Sequence, residues 1–207
     1  MDYLIKNLPI LVVITPLMFS LIVAILPNER HSWFLTNVSL LLTLLFTILL
    51  GIEISDKNFI SYHLGNWPPP LGIEYVIDKV SIIPIFIISI IGLLASSFAH
   101  HFFKQEIDKK LISKTYSLWL LAIAGLMGLV TTADAFNLFV FLEISSLSAV
   151  ALVAMGAKMD RKALIAGYNY LILGAVGATF YVIGVGLLYG VTGTLNMNDL
   201  AQKLPLL

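Results

Sequence analysis

A single carboxylate lies near the middle of an apolar segment of the chain. Glu143 is the one acidic residue of the segment 135–155. An acidic side chain at mid-membrane depth costs about 2.5–3.5 kcal/mol on insertion scales, and such residues normally mark ion or proton pathways. A carboxyl group kept away from water also holds its proton more readily than one in water. The position therefore predicts a buried proton carrier, and the alternative is a carboxylate that only ties helices together.

Three more polar residues are candidates for a proton path. Ser146 follows Glu143 by about one helical turn, so it is predicted to lie on the same face as a hydrogen-bond or water relay. Asp134 precedes the same helix, where N-capping explains it; the alternative is a proton exit or a cation-attracting group. Asn169 lies in the next apolar segment, where a hydrogen bond between helices is the commoner use and the lining of a wet cavity is the alternative.

The composition is that of a membrane protein. Of 207 residues, 59% are hydrophobic and 12% are charged, and the mean hydropathy is +0.96. Soluble domains have roughly 45–50% apolar and about 25% charged residues. The formal net charge is zero and no basic run stands clear of the apolar segments, so no nucleic-acid partner is predicted. Because the chain has no cysteine and four scattered histidines, neither a metal site nor a cofactor is predicted.

Six apolar stretches come close to the roughly 17–25 residues that a helix needs to cross a hydrocarbon core about 30 Å thick. The sequence thus predicts an all-α integral membrane protein with one membrane domain over residues 1–207. Its helices are predicted at about 8–26, 33–52, 80–98, 117–131, 135–155 and 163–189. The first stretch is interpreted as a retained helix, not a signal peptide. Short β-type runs within residues 53–79 predict an external hairpin or loop, and residues 190–207 form a polar tail.

Lysine and arginine indicate the orientation, because positively charged loops stay in the cytoplasm. Six crossings put both termini on one side, together with Lys6, Lys57, Lys79 and Lys203. The other side has more positive residues: Arg30, Lys104, Lys109, Lys110, Lys114, Lys158, Arg161 and Lys162. We therefore expect a multi-pass protein of the cell (inner) membrane with both termini on the non-cytoplasmic side.

Three blocks of the sequence resemble a known family. They are WPPPLGIEYVIDK at residues 67–79, TADAFNLFVFLEISS at 132–146 and LLYGVTGTLNM at 187–197. They resemble the D subunit of the multi-subunit Mrp-type sodium/proton antiporters, and the resemblance covers the whole chain. The last two blocks are also similar to the proton-pumping, antiporter-like subunits of respiratory complex I and of membrane-bound hydrogenases.

The resemblance implies that the chain is the N-terminal part of a fold of about fourteen helices in which protons move along buried charged groups. Glu143 matches the family's essential glutamate, which faces a lysine on a later, broken helix. Many relatives have lysine where this chain has Asn169. The implied partners are other membrane subunits, a polypeptide that supplies the C-terminal helices, the lipid bilayer, protons and Na⁺.

Three hypotheses follow for the function. The first is the N-terminal half of a proton-translocating subunit of a cation/proton antiporter. The second couples the same scaffold to electron transfer, as a membrane subunit of an NADH:quinone oxidoreductase or hydrogenase complex that binds no redox cofactor itself. The chain would be part of an enzyme only in that second case. The third is a split or truncated product with a structural or assembly role alone.

Overall fold

The computed structural model describes residues 5–156 and 160–206, and long helices dominate it. The six long helices are α1 (Leu8–Ile25), α2 (Glu29–Asp56), α3 (Ile82–Glu106), α4 (Lys109–Thr131), α5 (Ala135–Met155) and α6 (Lys162–Thr192). Each is long and apolar enough to cross a membrane. A short helix, α7 (Met197–Lys203), follows. The predicted all-α membrane fold with about six long apolar helices is confirmed. Lys158, one of the residues used to infer orientation, lies outside the described residues.

Several helices extend beyond the apolar stretches of the sequence. α2 begins at Glu29 and α4 begins at Lys109, whereas the apolar stretches begin at about residues 33 and 117. The added turns are rich in charged residues, which a search for apolar segments excludes although they continue the helix into water. At the start of α2, the Asn28 side chain accepts a hydrogen bond from the Arg30 backbone, as an N-cap does.

α4 is the central helix of the described bundle. It packs mainly against α1 and α5, and also contacts α2 and α3. Two glycines allow α5 to approach closely. A Cβ atom at Gly125 would lie 2.7 Å from the Ser145 backbone nitrogen, and one at Gly128 would lie 2.3 Å from the Phe141 ring. Since Phe141 and Ser145 flank Glu143, this contact fixes the part of α5 that carries the carboxylate.

A row of buried hydroxyl groups lies along α2, and the two end members of the row form hydrogen bonds to neighbouring helices. Spaced three or four residues apart, these side chains share one helix face, and none is exposed: Ser32, Thr36, Ser39, Thr43 and Thr47. The Ser32 hydroxyl donates to Ser113 of α4 at 2.8 Å, and Thr47 shares a 2.9 Å hydrogen bond with Ser89 of α3. Hydroxyl contacts of this kind are a common means of helix association in lipid.

A two-stranded antiparallel hairpin connects α2 to α3. Its strands are β1 (Phe59–His63) and β2 (Glu74–Asp78), and their register places His63 opposite Glu74. In the connection, Gly65 has a φ of 64°, which glycine adopts without steric cost. The end of the bundle that carries this hairpin is called the hairpin end below.

Three separate segments meet at the hairpin end. The turn between α4 and α5 lies between β2 and the segment that follows α6. Three backbone hydrogen bonds connect them, from Ala133 N to Glu74 O (2.9 Å), from Met197 N to Ala133 O (2.8 Å) and from Ala135 N to Leu195 O (2.8 Å). We call this arrangement the three-segment joint. It brings together the three sequence blocks that carry the family resemblance.

The packing of α4 on α5 predicts different effects for the same substitution at two membrane glycines. Gly128→Ala should lower the free energy of unfolding by about 1–3 kcal/mol, because the new Cβ would overlap the Phe141 ring. Gly184→Ala is the matched control. No atom lies within 4 Å of a Cβ at Gly184 in the described structure, so its stability should be unchanged or up to about 1 kcal/mol higher. Unfolding of the purified chain in detergent measures both, and equal stabilities would contradict the packing.

Candidate functional site

Glu143 lies on α5 beside a groove that α4 and α5 form together. The groove has a volume of about 400 Å³, and its lining residues are Leu118, Leu121, Phe139, Val140, Glu143, Ile144, Leu147 and Ser148. Apart from the carboxylate and one hydroxyl, these side chains are apolar. Within residues 5–156 and 160–206, no hydrogen bond or ion pair involves the Glu143 carboxylate.

The carboxylate is half-buried in the described part of the chain, whereas the sequence predicts a buried one. The difference arises because only α4 and α5 line the groove within the described residues, and no further helix closes it. Glu143 therefore lies at an open edge of the described bundle.

Ser146 lines a different groove from Glu143. Its groove has a volume of about 410 Å³ and is lined by Ala122, Leu126, Leu142, Ser145, Ser146, Ala149 and Tyr170. Successive helical residues rotate by about 100°, so a side chain three positions along points about 60° away from the first around the helix axis. That rotation places Ser146 on the side of α5 that faces α6, where a Cβ at Gly174 would lie 3.1 Å from the serine hydroxyl. The structure thus does not bring Ser146 and Glu143 into one groove.

Asn169 lies on α6 with an exposed side chain. Its neighbour Tyr170 lines the Ser146 groove, but Asn169 lines neither that groove nor the one beside Glu143. On this part of α6, Gly167 makes the contact with α5, against Ala154 and the Val150 carbonyl. Asn169 is therefore directed away from the α5–α6 contact.

Asp134 is buried at the start of α5, with 7% of its surface exposed. Its side chain accepts a 2.7 Å hydrogen bond from the Asn137 backbone, which is the geometry of an N-cap. The side-chain amide of Asn137 in turn donates to the Thr132 hydroxyl at 2.9 Å. Burial raises the pKa of the Asp134 carboxyl, and the hydrogen bonds from the Asn137 and Phe136 backbones oppose that rise.

Glu74 is a second buried carboxylate at the hairpin end, and sequence reasoning missed it. Only 8% of the residue is exposed. Its Oε1 accepts a hydrogen bond from the Ser61 hydroxyl at 2.5 Å, and its Oε2 accepts one from the Asn196 amide at 2.8 Å. The His63 Nε2 atom is 3.8 Å from Oε1. The two predicted β-type runs were the available signal, since the register in which they pair in the structure places His63 opposite Glu74.

Two clefts open on either side of Glu74 at the hairpin end. The larger has a volume of about 540 Å³ and is lined by Ile5, Lys6, Glu53, Lys57, Ile60, Ser61, Tyr62, His63 and Asn66. The smaller, of about 280 Å³, is lined by Pro69, Pro70, Glu74, Asn196, Asn198, Asp199 and Gln202. Ser61 and His63 therefore line the larger cleft, whereas Glu74 and Asn196 line the smaller one.

Comparison with known proteins identifies relatives for both the sequence and the structure. Residues 132–206 match the family described as NADH:quinone oxidoreductase/Mrp antiporter, TM. The N subunit of the NADH-quinone oxidoreductase of Desulforudis audaxviator is 41% identical over 96% of this chain and 40% of its own length. The D subunit of the Na⁺/H⁺ antiporter of Alkalihalophilus pseudofirmus is 30% identical over 92% of this chain and 39% of its own length.

A solved structure shows the same fold. The chain matches part of the membrane-bound sulfane sulfur reductase, an archaeal respiratory membrane complex, with a TM-score of 0.84 and 31% identity. The match covers 95% of this chain and 40% of that one, so the chain spans about two fifths of the length of the proteins it matches. Residues 132–206 therefore match the family of membrane subunits shared by NADH:quinone oxidoreductases and Mrp antiporters, and nearly the whole chain is similar to such subunits.

Proposed function

We propose that this chain is the N-terminal portion of a proton-translocating subunit of a multi-subunit monovalent cation/proton antiporter. In this proposal, Glu143 takes up and releases a proton at mid-membrane depth. The similarity to the D subunit of a Na⁺/H⁺ antiporter supports the class of function, and the position of Glu143 supports the mechanism.

The observation that carries the proposal is a carboxylate in an apolar groove. A permanent charge in such surroundings is costly unless it is paired, and within the described residues Glu143 has no ionic partner. Uptake of a proton neutralises the group and removes that cost. A side chain that alternates between the two forms can therefore accept a proton from one side and release it to the other.

Further helices complete the path in this proposal, on this polypeptide or on a second one. Support comes from the coverage of about two fifths of the relatives and from the exposed apolar surface of α6. Leu173 is 74% exposed and Phe180 is 72% exposed. Covering helices would close the groove beside Glu143 and supply the lysine that the family resemblance implies. Other membrane subunits, the lipid bilayer, protons and Na⁺ are the proposed partners.

The other polar candidates have secondary roles in this proposal. Ser146 and Asn169 would contact water or the covering helices, Ser146 on the α6 side of α5 and Asn169 from the exposed surface of α6. Asp134 caps α5, and its buried carboxyl would also be available to a proton that leaves Glu143 toward the hairpin end.

A second candidate function is proton pumping driven by electron transfer. Two observations favour it, namely the 41% identity to the N subunit of an NADH-quinone oxidoreductase and the TM-score of 0.84 to a respiratory membrane complex. The scaffold and the role of Glu143 would be the same, and other subunits would bind the redox cofactors.

Membrane vesicles that contain the whole complex distinguish the two candidates. An antiporter should move protons when a Na⁺ gradient is imposed, with no electron donor added. A redox-coupled pump should move protons only while a donor such as NADH is oxidised. Proton movement that requires the donor would contradict the antiporter proposal.

We further propose that the complex lies in the cell membrane with the hairpin end outside the cytoplasm. Because the chain has no cysteine, a single introduced cysteine is its only site for thiol labelling. Labelling of that cysteine reports the side of the membrane on which it lies. In intact cells, an impermeant maleimide should label Lys57→Cys and should not label Lys110→Cys until the membrane is opened. The reverse pattern would contradict this orientation.

Removal of the proton site tests the mechanism. Glu143→Gln should reduce cation-dependent proton exchange by about tenfold or more, because the amide cannot carry the proton. Assembly should survive, since no hydrogen bond in the described structure depends on this carboxylate. Glu143→Asp should be milder, because it keeps the acid and only shortens its reach.

The matched control is Glu106→Gln, which makes the same change at an exposed carboxylate near the end of α3 and should leave exchange unchanged. Exchange and the amount of assembled complex are measured on the same vesicles. Normal exchange by Glu143→Gln would overturn the proton role and favour a structural or assembly function for the chain.

A further inference from the structure

We infer that His63, Ser61 and Glu74 form a proton-exchange site at the hairpin end, which passes protons between water and the interior of the protein. The inference rests on the proposed function and extends it to the hairpin end of the path. It is carried by a continuous set of hydrogen-bonding contacts that runs from an exposed imidazole to a buried carboxylate.

The three side chains connect the larger cleft to the buried carboxylate, and both His63 and Ser61 line that cleft. His63 lines the 540 Å³ cleft, and 40% of its side chain is exposed. Ser61 lies between the other two, with its hydroxyl oxygen 3.3 Å from His63 Nε2 and 2.5 Å from Glu74 Oε1. The Glu74 side chain is 10% exposed. A proton taken up by the imidazole can therefore reach the carboxylate through the Ser61 hydroxyl.

The transfer involves one proton and no change in oxidation state. Protonated His63 gives its Nε2 proton to the Ser61 oxygen while Ser61 gives its own hydroxyl proton to Glu74 Oε1. One N–H bond breaks, one O–H bond forms on the carboxyl group, and serine ends as a hydroxyl again. The imidazole and the carboxyl group both end neutral, and the reverse sequence releases the proton. Histidine suits this position because the ring nitrogens of an imidazole can both donate and accept a proton.

The two oxygens of Glu74 have separate tasks. The Asn196 side-chain oxygen accepts hydrogen bonds from the Asn198 and Asp199 backbones at 3.0 and 3.1 Å, which fixes the orientation of its amide. The amide nitrogen must then donate to Glu74 Oε2. Oε2 thus holds the three-segment joint together, and Oε1 faces Ser61 and His63. If Glu74 served only to hold the three-segment joint together, the hydrogen bond to Oε2 would be sufficient.

The neighbouring charged side chains include two ion pairs that involve neither His63 nor Glu74. In the larger cleft, Lys57 is paired with Glu53, and Lys6 also lines the wall. In the smaller cleft, Asp199 is paired with Lys203 at 3.0 Å.

The inner end of the relay leads toward Glu143. Asn196 contacts Glu74 through its side chain and pairs with Asp134 through its backbone. Asp134 is the cap of α5, and Glu143 lies about 14 Å farther along that helix at about 1.5 Å per residue. The relay therefore ends beside the terminus of the helix that carries the central carboxylate.

Glu74→Gln separates proton transfer from clamping. Glutamine can still accept the Asn196 hydrogen bond and can donate to Ser61, but it cannot take a proton. In vesicles with the assembled complex, Glu74→Gln, His63→Ala and Ser61→Ala should each lower proton flux by about tenfold or more. Imidazole added to the buffer should raise the flux of His63→Ala several-fold and leave the parent unchanged, since the cleft beside residue 63 is open to water. Lys57→Gln, at another position in the same cleft, is the control and should keep the parental flux.

Measurement of Glu143→Gln in the same vesicles distinguishes failure of this inference from failure of the proposed function. Parental flux in Glu74→Gln and His63→Ala, with flux lost in Glu143→Gln, would overturn the relay and leave the proposed function standing. Parental flux in all three would overturn the proposed function. If Glu74→Gln does not assemble, the imidazole response of His63→Ala decides, and the absence of a response would overturn the relay.

Discussion

The close approach of α4 to α5 determines where the carboxylate of Glu143 lies. Gly125 and Gly128 leave room for Ser145 and Phe141, so the two helices meet at the level of Glu143. The turn between these helices is held by backbone hydrogen bonds to β2 and to the segment after α6. Together, the glycine contacts and the three-segment joint fix the height and the rotation of α5. Without either of them, α5 could slide or turn, and the carboxylate would leave its groove.

The middle of α5 and the hairpin end of the bundle differ in chemistry. At the middle of the helix, one carboxylate stands among apolar side chains, where its charge is costly and a proton is the simplest means of neutralising it. At the hairpin end, Glu74 and Asp134 are buried among hydrogen-bond donors, close to clefts that open to water. In the proposed function, the central position is where the charge state controls proton transfer, and the position at the hairpin end exchanges protons with solvent.

The sequence predicts the elements of this chain better than it predicts their contacts. α5 lies at the predicted residues because Asp134 caps its start and Gly156 ends it, both of which are local signals. The start of α4 was predicted too late, because its first turns are polar. The burial of Glu74 could not be predicted, since its partner Asn196 is 122 residues away along the chain.

Ser146 was expected beside Glu143, and only the packed structure shows that the two face different grooves. The buried hydroxyl row on α2 was detectable, because its spacing of three and four residues marks one helix face.

Infrared difference spectroscopy tests the central claim most directly. The chain in lipid vesicles, compared with Glu143→Gln, should show the carbonyl band of a protonated carboxyl group that shifts in D₂O and is missing from the variant. Such a band would show that Glu143 holds a proton and exchanges it. Identical spectra for the two proteins, with Glu143 ionised throughout, would contradict the account.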